Sequence, residues 1–153
     1  MLDIILVVFG RLKTGAYQQM AEEYLRRLRP FAKIKVVELG AVSFSTKNKA
    51  QSMKQEADSL QAFLAKQSDR QVILLSESGV SMDSLTFSKK LAKINRPILL
   101  VIGGSLGFNS ELKQQYPAWS LSPLTFPHEL ARVILLEQLY RATTIMRGKD
   151  YHY

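Results

Sequence analysis

Apolar residues along this chain fall into two alternating kinds of run. Ile4–Phe9 and Ile98–Ile102 are unbroken and rich in β-branched side chains, as expected of strands covered on both faces. Ile34–Leu39 and Val72–Leu75 predict two further strands, and Ala118–Leu121 a short fifth. Between them the period becomes helical. Tyr17, Met20, Ala21, Tyr24, Leu25 and Leu28 recur at i, i+3, i+4, i+7, i+8 and i+11, which predicts an amphipathic helix stopped by Pro30, with Arg26, Arg27 and Arg29 on its other face. Ser45 or Thr46 can cap a helix running to about Lys66 through Met53, Ala57, Leu60 and Leu64. Ser78-Gly79 reads as a turn, Ser81 as the start of a short helix through Leu85 and Leu91, and Asn109 as the cap of another ending near Tyr116. Pro127 suits the first turn of a final helix that continues to about Met146. Strands and helices alternating at this spacing predict one α/β domain over residues 1–153, with a mostly parallel sheet flanked by helices.

The final helix has no polar face. Leu130, Val133, Ile134, Leu136 and Tyr140, together with Ala131, Leu135, Leu139 and Ala142, cover most of its circumference. Such a helix must be buried on both sides. Either one side packs on the sheet and the other on a second copy of the chain, a homodimer, or one chain buries it whole.

Composition narrows the class. The 153 residues are 46% hydrophobic and 22% charged, ordinary for a globular domain. Cysteine is absent, which excludes disulfides, thiolate zinc, iron–sulfur clusters and cysteine nucleophiles, and suits a cytoplasmic chain. Two histidines are too few for a histidine-rich metal site, so no metal is expected. Every apolar run is far short of the ~20 residues that span a bilayer, and no membrane role is expected. No basic segment precedes Ile4–Phe9, which therefore reads as a strand rather than a signal peptide. The formal charge is +8, with ten basic and four acidic groups in the first 54 residues. A pI of about 9.8 is the footprint of a nucleic-acid partner, or else general solubility charge. Lys47, Lys49 and Lys54 sit in or near the first turns of the second helix, where its dipole disfavours cations.

Two loops carry candidate chemistry. Gly103-Gly104-Ser105-Leu106-Gly107 follows a buried strand, where open α/β sheets bind ligands, and its glycines let a ligand approach the backbone. It is neither a P-loop nor a dinucleotide fingerprint. Leu121-Ser122-Pro123-Leu124-Thr125-Phe126-Pro127-His128 is unusually apolar and rigid for a connection. It either forms a slot for an aromatic ring whose edge its amides read, or is a connection packed under the last helix. At the C-terminus, Tyr151 and Tyr153 can stack on unpaired bases and His152 can move a proton near neutral pH, unless this tail simply frays.

In order and spacing, Ile102–Gly107, Trp119–His128, Arg132-Val133, Glu137–Ala142 and Tyr151-His152 resemble the large-subunit ribosomal RNA pseudouridine N3-methyltransferases, a family of the SPOUT class. Tyr24-Leu25-Arg26-Arg27 matches too, so the resemblance spans essentially the whole chain. It implies a C-terminal trefoil knot, which ordinary connection rules would not predict. It further implies S-adenosylmethionine as cofactor, a homodimer, no metal, and as substrate a pseudouridine of 23S ribosomal RNA in the assembled ribosome. Cofactor contacts would come from Leu75, from Gly103 and from Leu121, Ser122, Pro123, Leu124, Thr125 and Phe126. This chain departs from many relatives in its Gly-Gly-Ser-Leu-Gly loop and in ending on Tyr153, a stacking ring in place of a basic residue.

N3 of pseudouridine must lose its proton before it can act as a nucleophile. His152, from its own or a partner chain, is the candidate base or substrate positioner. Arg141 either stabilises the developing anion, holds a phosphate, or braces the fold through Glu137 one turn earlier. Arg11, Lys13, Arg26, Arg27 and Arg29, with Tyr151 and Tyr153, are the candidate RNA contacts. The rival reading is a non-catalytic RNA-binding or ribosome-assembly protein on the same fold.

Overall fold

A computed structural model describes residues 1–149 and 151. Ten elements alternate as β1 (Leu2–Phe9), α1 (Gly15–Leu28), β2 (Ala32–Leu39), α2 (Lys49–Leu64), β3 (Gln71–Ser81), α3 (Ser84–Ala92), β4 (Ile98–Ile102), α4 (Ser110–Gln115), β5 (Ala118–Ser120) and α5 (His128–Met146). The strands form one sheet in the order β2-β1-β4-β3-β5, and every pairing is parallel. All of β4 and residues 4–9 of β1 are buried, which explains their unbroken apolar runs. β2 forms one edge, and Lys33 and Lys35 on its exposed positions protect it from further pairing.

The side-chain alternation of the strands divides the core in two. Ile4, Leu6, Ile73, Leu100 and Ile102 face α1, α3 and α5. Ile5, Val7, Leu74, Leu99 and Val101 face Ala57, Leu60 and Leu64 of α2 and Leu112 of α4. Each fully buried leucine or isoleucine of these layers contributes about 1.5–3 kcal/mol of transfer free energy.

Three regions depart from expectation: the start of α2, the stretch from Ser78 to Asp83, and the exposed side of α1. α2 begins at Lys49 with Asn48 in the cap position, so neither Ser45 nor Thr46 caps it. The Asn48 side chain turns back to accept from the Ser45 amide and hydroxyl instead. Ser78-Gly79 is no turn but lies inside the eleven-residue β3, which pairs with β5 on both sides of a register shift between Leu75 and Val80. Ser81 ends that strand, and Asp83 caps α3 by accepting from the Thr86 amide at 2.7 Å. Third, Met20 is exposed, because α1 turns Ala21 and Leu28 inward and leaves Met20 beside the seam.

α5 is buried along most of its length within the one chain. It lies between α1 and α3 over the sheet, with the Tyr24 and Tyr140 rings 6.3 Å apart on one side. On the other, the Ser84 hydroxyl donates to Gln138 and the Ser88 hydroxyl to the Ala142 carbonyl, each at 3.0 Å. The sheet, α1 and α3 bury Val133, Leu135, Leu136, Leu139 and Ala142, whereas Leu130, Ala131, Ile134 and Tyr140 are only partly buried in the single chain. Pro127 occupies the N-cap position rather than the first turn, and His128 is the first helical residue. Among the described residues no helix is long and apolar enough to cross a membrane.

Candidate functional site

A cleft of about 610 Å³ opens beside the middle of β3 and the carboxyl ends of β4 and β5. Its walls are Leu75–Glu77, the loop from Ile102 to Phe108, Leu121-Ser122, Leu124–His128, Lys113 and Ala131. The strand end, the glycine loop and the apolar loop singled out from the sequence thus meet around one space. Of the eight expected cofactor residues only Pro123 does not line it.

The geometry of each wall follows from its sequence. Gly107 has φ +70°, a left-handed conformation that side chains resist, and its amide closes a turn on the Gly104 carbonyl at 2.9 Å. A Cβ at Gly103 would lie 3.2 Å from the Phe108 ring. The amides of Gly104, Ser105 and Leu106 have no hydrogen-bond partner among the described residues. In the second loop the Leu124 amide donates to the Ser122 hydroxyl at 3.0 Å, tightening a bend that leaves Leu124 72% exposed at the cleft mouth. The Ser120 hydroxyl donates to the Glu77 carbonyl at 3.4 Å and ties the start of this loop to β3.

The base of α5 is fastened to the segment after β1. Glu129 accepts from the amides of Lys13 and Thr14, and these bonds, that of Lys13 first, hold its carboxyl below the usual range. A small recess bounded by Gly10–Leu12, Glu129 and Arg132 adjoins the cleft through Ile102 and His128. Arg132 is buried there, donates to Glu38 at 3.0 Å, and leaves its Nε without a partner.

Sequence reasoning missed Glu56. It sits on the buried face of α2, only 7% exposed, directly behind the glycine loop. Its Oε2 has no hydrogen-bond partner, and burial pushes its carboxyl above the usual range. The signal was present: Glu56 falls three residues after Met53 and four before Leu60, on the apolar stripe of its own helix. Ser76, Glu77 and Lys113 also line the cleft without having been anticipated.

The other candidates lie elsewhere. Arg141 pairs with Glu137 at 2.5 Å, donates to the Tyr151 carbonyl at 3.0 Å, and stands 5.0 Å from the centre of the Tyr151 ring. That ring meets Tyr140 edge-on at 4.8 Å. Arg141 is thirteen residues beyond His128 on the same helix, about 20 Å away. The bracing role through Glu137 is therefore present in the fold, and Arg141 is remote from its own chain's cleft. His152 and Tyr153 lie outside the described residues.

The basic candidates do not form one patch. Arg11 and Lys13 lie next to the cleft, whereas Arg26, Arg27 and Arg29 sit at the far end of α1, about 21 Å away along a 14-residue helix. Arg26 and Arg27 both pair with Glu23, at 2.7 and 2.6 Å, and hold its carboxyl below the usual range.

A family model described as "Predicted SPOUT methyltransferase" matches residues 2–152. Curated relatives named ribosomal RNA large subunit methyltransferase H align over nearly full length. That of Pseudothermotoga lettingae is 42% identical over 99% of this chain and all of its own, and that of Kosmotoga olearia 36% identical over the same shares. Among solved structures, one concerned with 2-OH methylation of C/U34 on tRNA superimposes with a TM-score of 0.55 at 13% identity, covering 97% of this chain and 99% of its own. A Legionella pneumophila structure solved with bound cofactor SAM gives 0.52 at 17% identity, covering 92% and 66%. At these identities the structural likenesses show the fold alone.

Proposed function

The chain belongs to the SPOUT methyltransferase family, and we propose that it methylates N3 of a pseudouridine in 23S ribosomal RNA, with S-adenosylmethionine as methyl donor. The observation that carries this reading is the convergence of three separate chain segments on one cleft, in a chain aligned end to end with rRNA large-subunit methyltransferases.

The cleft fits the cofactor. Its volume of about 610 Å³ is ordinary for a cofactor site. Gly103 lines the cleft without a side chain, so a ligand can approach the backbone there. Leu75, Leu121 and Phe126 supply apolar walls against which an adenine ring can be held, with the loop backbone available to read its edge. When bound, S-adenosylmethionine supplies a methyl group made electrophilic by its sulfonium.

The chain's own task is to orient the acceptor and manage one proton. The imide N3–H must be given up for the nitrogen to attack, and His152 is the candidate acceptor. Arg141 is suited to hold the developing imide anion or an adjacent phosphate. With Arg141 about 20 Å along α5 from His128, a single chain does not bring it to its own cleft. A homodimer in which one chain's Arg141 and tail face the other's cleft resolves that separation. Arg11 and Lys13 would contact phosphates beside the cleft, with Arg26, Arg27, Arg29, Tyr151 and Tyr153 holding more distant RNA on the assembled large subunit. On this reading the protein works in the cytoplasm, with the ribosomes.

The test is transfer of labelled methyl from S-adenosylmethionine to purified large subunits, 70S ribosomes and free 23S RNA, followed by mass mapping of the product. Label on N3 of one pseudouridine in the assembled particle supports the reading. Label on another atom, or on free RNA alone, overturns it.

A further inference from the structure

Among the described residues Glu56 is the one buried acid, and the fold does not explain its placement. It is 93% buried, forms no ion pair among the described residues, and leaves Oε2 without a donor. A buried carboxylate with an unmet oxygen destabilises a fold, and natural sequences carry such groups where function requires them. Its neighbour is the glycine loop itself. A Cβ at Gly104 would come within 2.9 Å of Oε1 and 3.1 Å of Cδ, and closer still to Oε2. Gly104 has no positive φ, so the approach of this carboxyl group, rather than backbone conformation, is what demands glycine there. On the loop side, the amides of Gly104, Ser105 and Leu106 are without acceptors. A carboxylate oxygen without a donor thus lies against a loop whose amides are without acceptors.

We propose that Glu56 is a positioning residue of the cofactor site: its carboxylate accepts from the amides of the Gly104–Leu106 segment and holds the glycine loop from behind in its cofactor-binding shape. The inference rests on the reading of the cleft as the S-adenosylmethionine site. Glu56 lies outside the cleft lining and acts only through the loop. The bond to the loop forms as the loop settles on the cofactor, so the cost of burying the carboxylate is offset in the bound state and not in the free one.

The consequence is a pair of effects with opposite signs. Glu56→Gln and Glu56→Met both remove the buried charge, and the second also removes the orphan oxygen. Without cofactor, both full-length variants should unfold at or above the wild-type temperature. Titrated calorimetrically with S-adenosylmethionine, both should bind about ten-fold or more weakly. In the wild type, exchange of the Gly104–Leu106 amides should slow on adding the cofactor, and in the variants it should slow far less. A glutamate that merely supports the fold would lower the unfolding temperature and affinity together, and that result overturns the proposal. Wild-type affinity in folded variants overturns it as well, with the cofactor reading left standing. A wild-type chain that does not take S-adenosylmethionine overturns both.

Discussion

Replacing Gly79 with alanine tests how the cleft is built, because Gly79 lies where β3 runs against β5. A Cβ there would stand 2.6 Å from the Trp119 carbonyl carbon, 2.7 Å from that of Ala118 and 2.8 Å from the Trp119 amide nitrogen. Carbon atoms in contact sit about 3.5–4.0 Å apart, so one strand must shift by about 1 Å. The obstructing atoms are backbone, which cannot swing aside as a side-chain tip can. Trp119 is buried with its ring 5.6 Å from Phe87, edge to face, so moving β5 also disturbs the layer under α3. Overpacking of this kind costs about 1–3 kcal/mol. For 153 residues the unfolding entropy is about 0.3 kcal/mol/K, and Gly79→Ala should lower Tm by about 3–9 °C. β5 leads directly into Leu121–Phe126, so cofactor affinity should fall as well. Thermal and urea unfolding with cofactor titration would measure both. Gly15→Ala is the control: no atom lies within 4 Å of a Cβ there, and the change should leave stability equal or raise it by up to about 1 kcal/mol. A Gly79→Ala protein as stable as wild type would refute the reading of Gly79 as a close-approach residue.

Arg141→Met strands the half-buried Glu137 and releases the Tyr151 carbonyl; it should cost about 1–3 kcal/mol in urea unfolding and expose the chain end to limited proteolysis. Arg29 has no ion pair among the described residues while Arg26 and Arg27 share Glu23. Arg29→Ala should therefore lower the salt dependence of ribosome binding by about one phosphate contact, and Glu23→Gln should raise affinity at low salt, both read by filter binding across a salt series. Asp83 is held below the usual carboxylate range by Thr86, so its contribution is present above its ordinary pKa and is lost as pH falls through that value and below. Asp83→Asn keeps the cap acceptor and should flatten this part of the acid-unfolding profile, compared by urea midpoints between about pH 6 and 3.

The sheet and its helices were legible because burial on both faces leaves no polar positions in β1 and β4, and because Asn109 and Pro127 mark helix starts. Gly79 was misread because a glycine where two backbones touch looks, in sequence, like one where the chain turns. Two walls of the cleft were legible as loops that are glycine-rich or apolar where a loop should be polar, and the third, at Leu75, only through the family resemblance. Glu56 is invisible to a periodicity of apolar residues, in which an acid on the buried stripe is a gap rather than a signal. The all-round apolarity of α5 was legible, but its cause was ambiguous: a second copy and a second flanking helix impose the same pattern. α1 and α3 cover part of the helix through Ser84, Ser88 and Tyr24, and leave Leu130, Ala131, Ile134 and Tyr140 partly exposed.

The apolar residues of α5 that one chain leaves partly exposed are one argument for a second copy, and what the cleft lacks is another. Within one chain, the cationic and imidazole groups at the cleft and the recess beside it are His128 at the start of α5, Lys113 on α4 and Arg11 after β1, with Lys13 bound through its amide to Glu129 next to them. Arg141, Tyr140 and Tyr151 form a separate aromatic and cationic cluster near the other end of that helix. Tyr24 and Arg27 of α1 extend it, with the Arg27 guanidinium 5.6 Å from the centre of the Tyr24 ring and 5.8 Å from that of Tyr140. A rigid helix fixes the separation at about 20 Å, which no side-chain rotation spans. Bringing these groups to one nucleotide requires the second cluster to come from another copy, so mixing a cleft-defective chain with an Arg141-defective chain should restore methyl transfer that neither gives alone. Failure to complement, in a mixture shown by sedimentation to form hetero-dimers, would return Arg141 to a purely bracing role through Glu137.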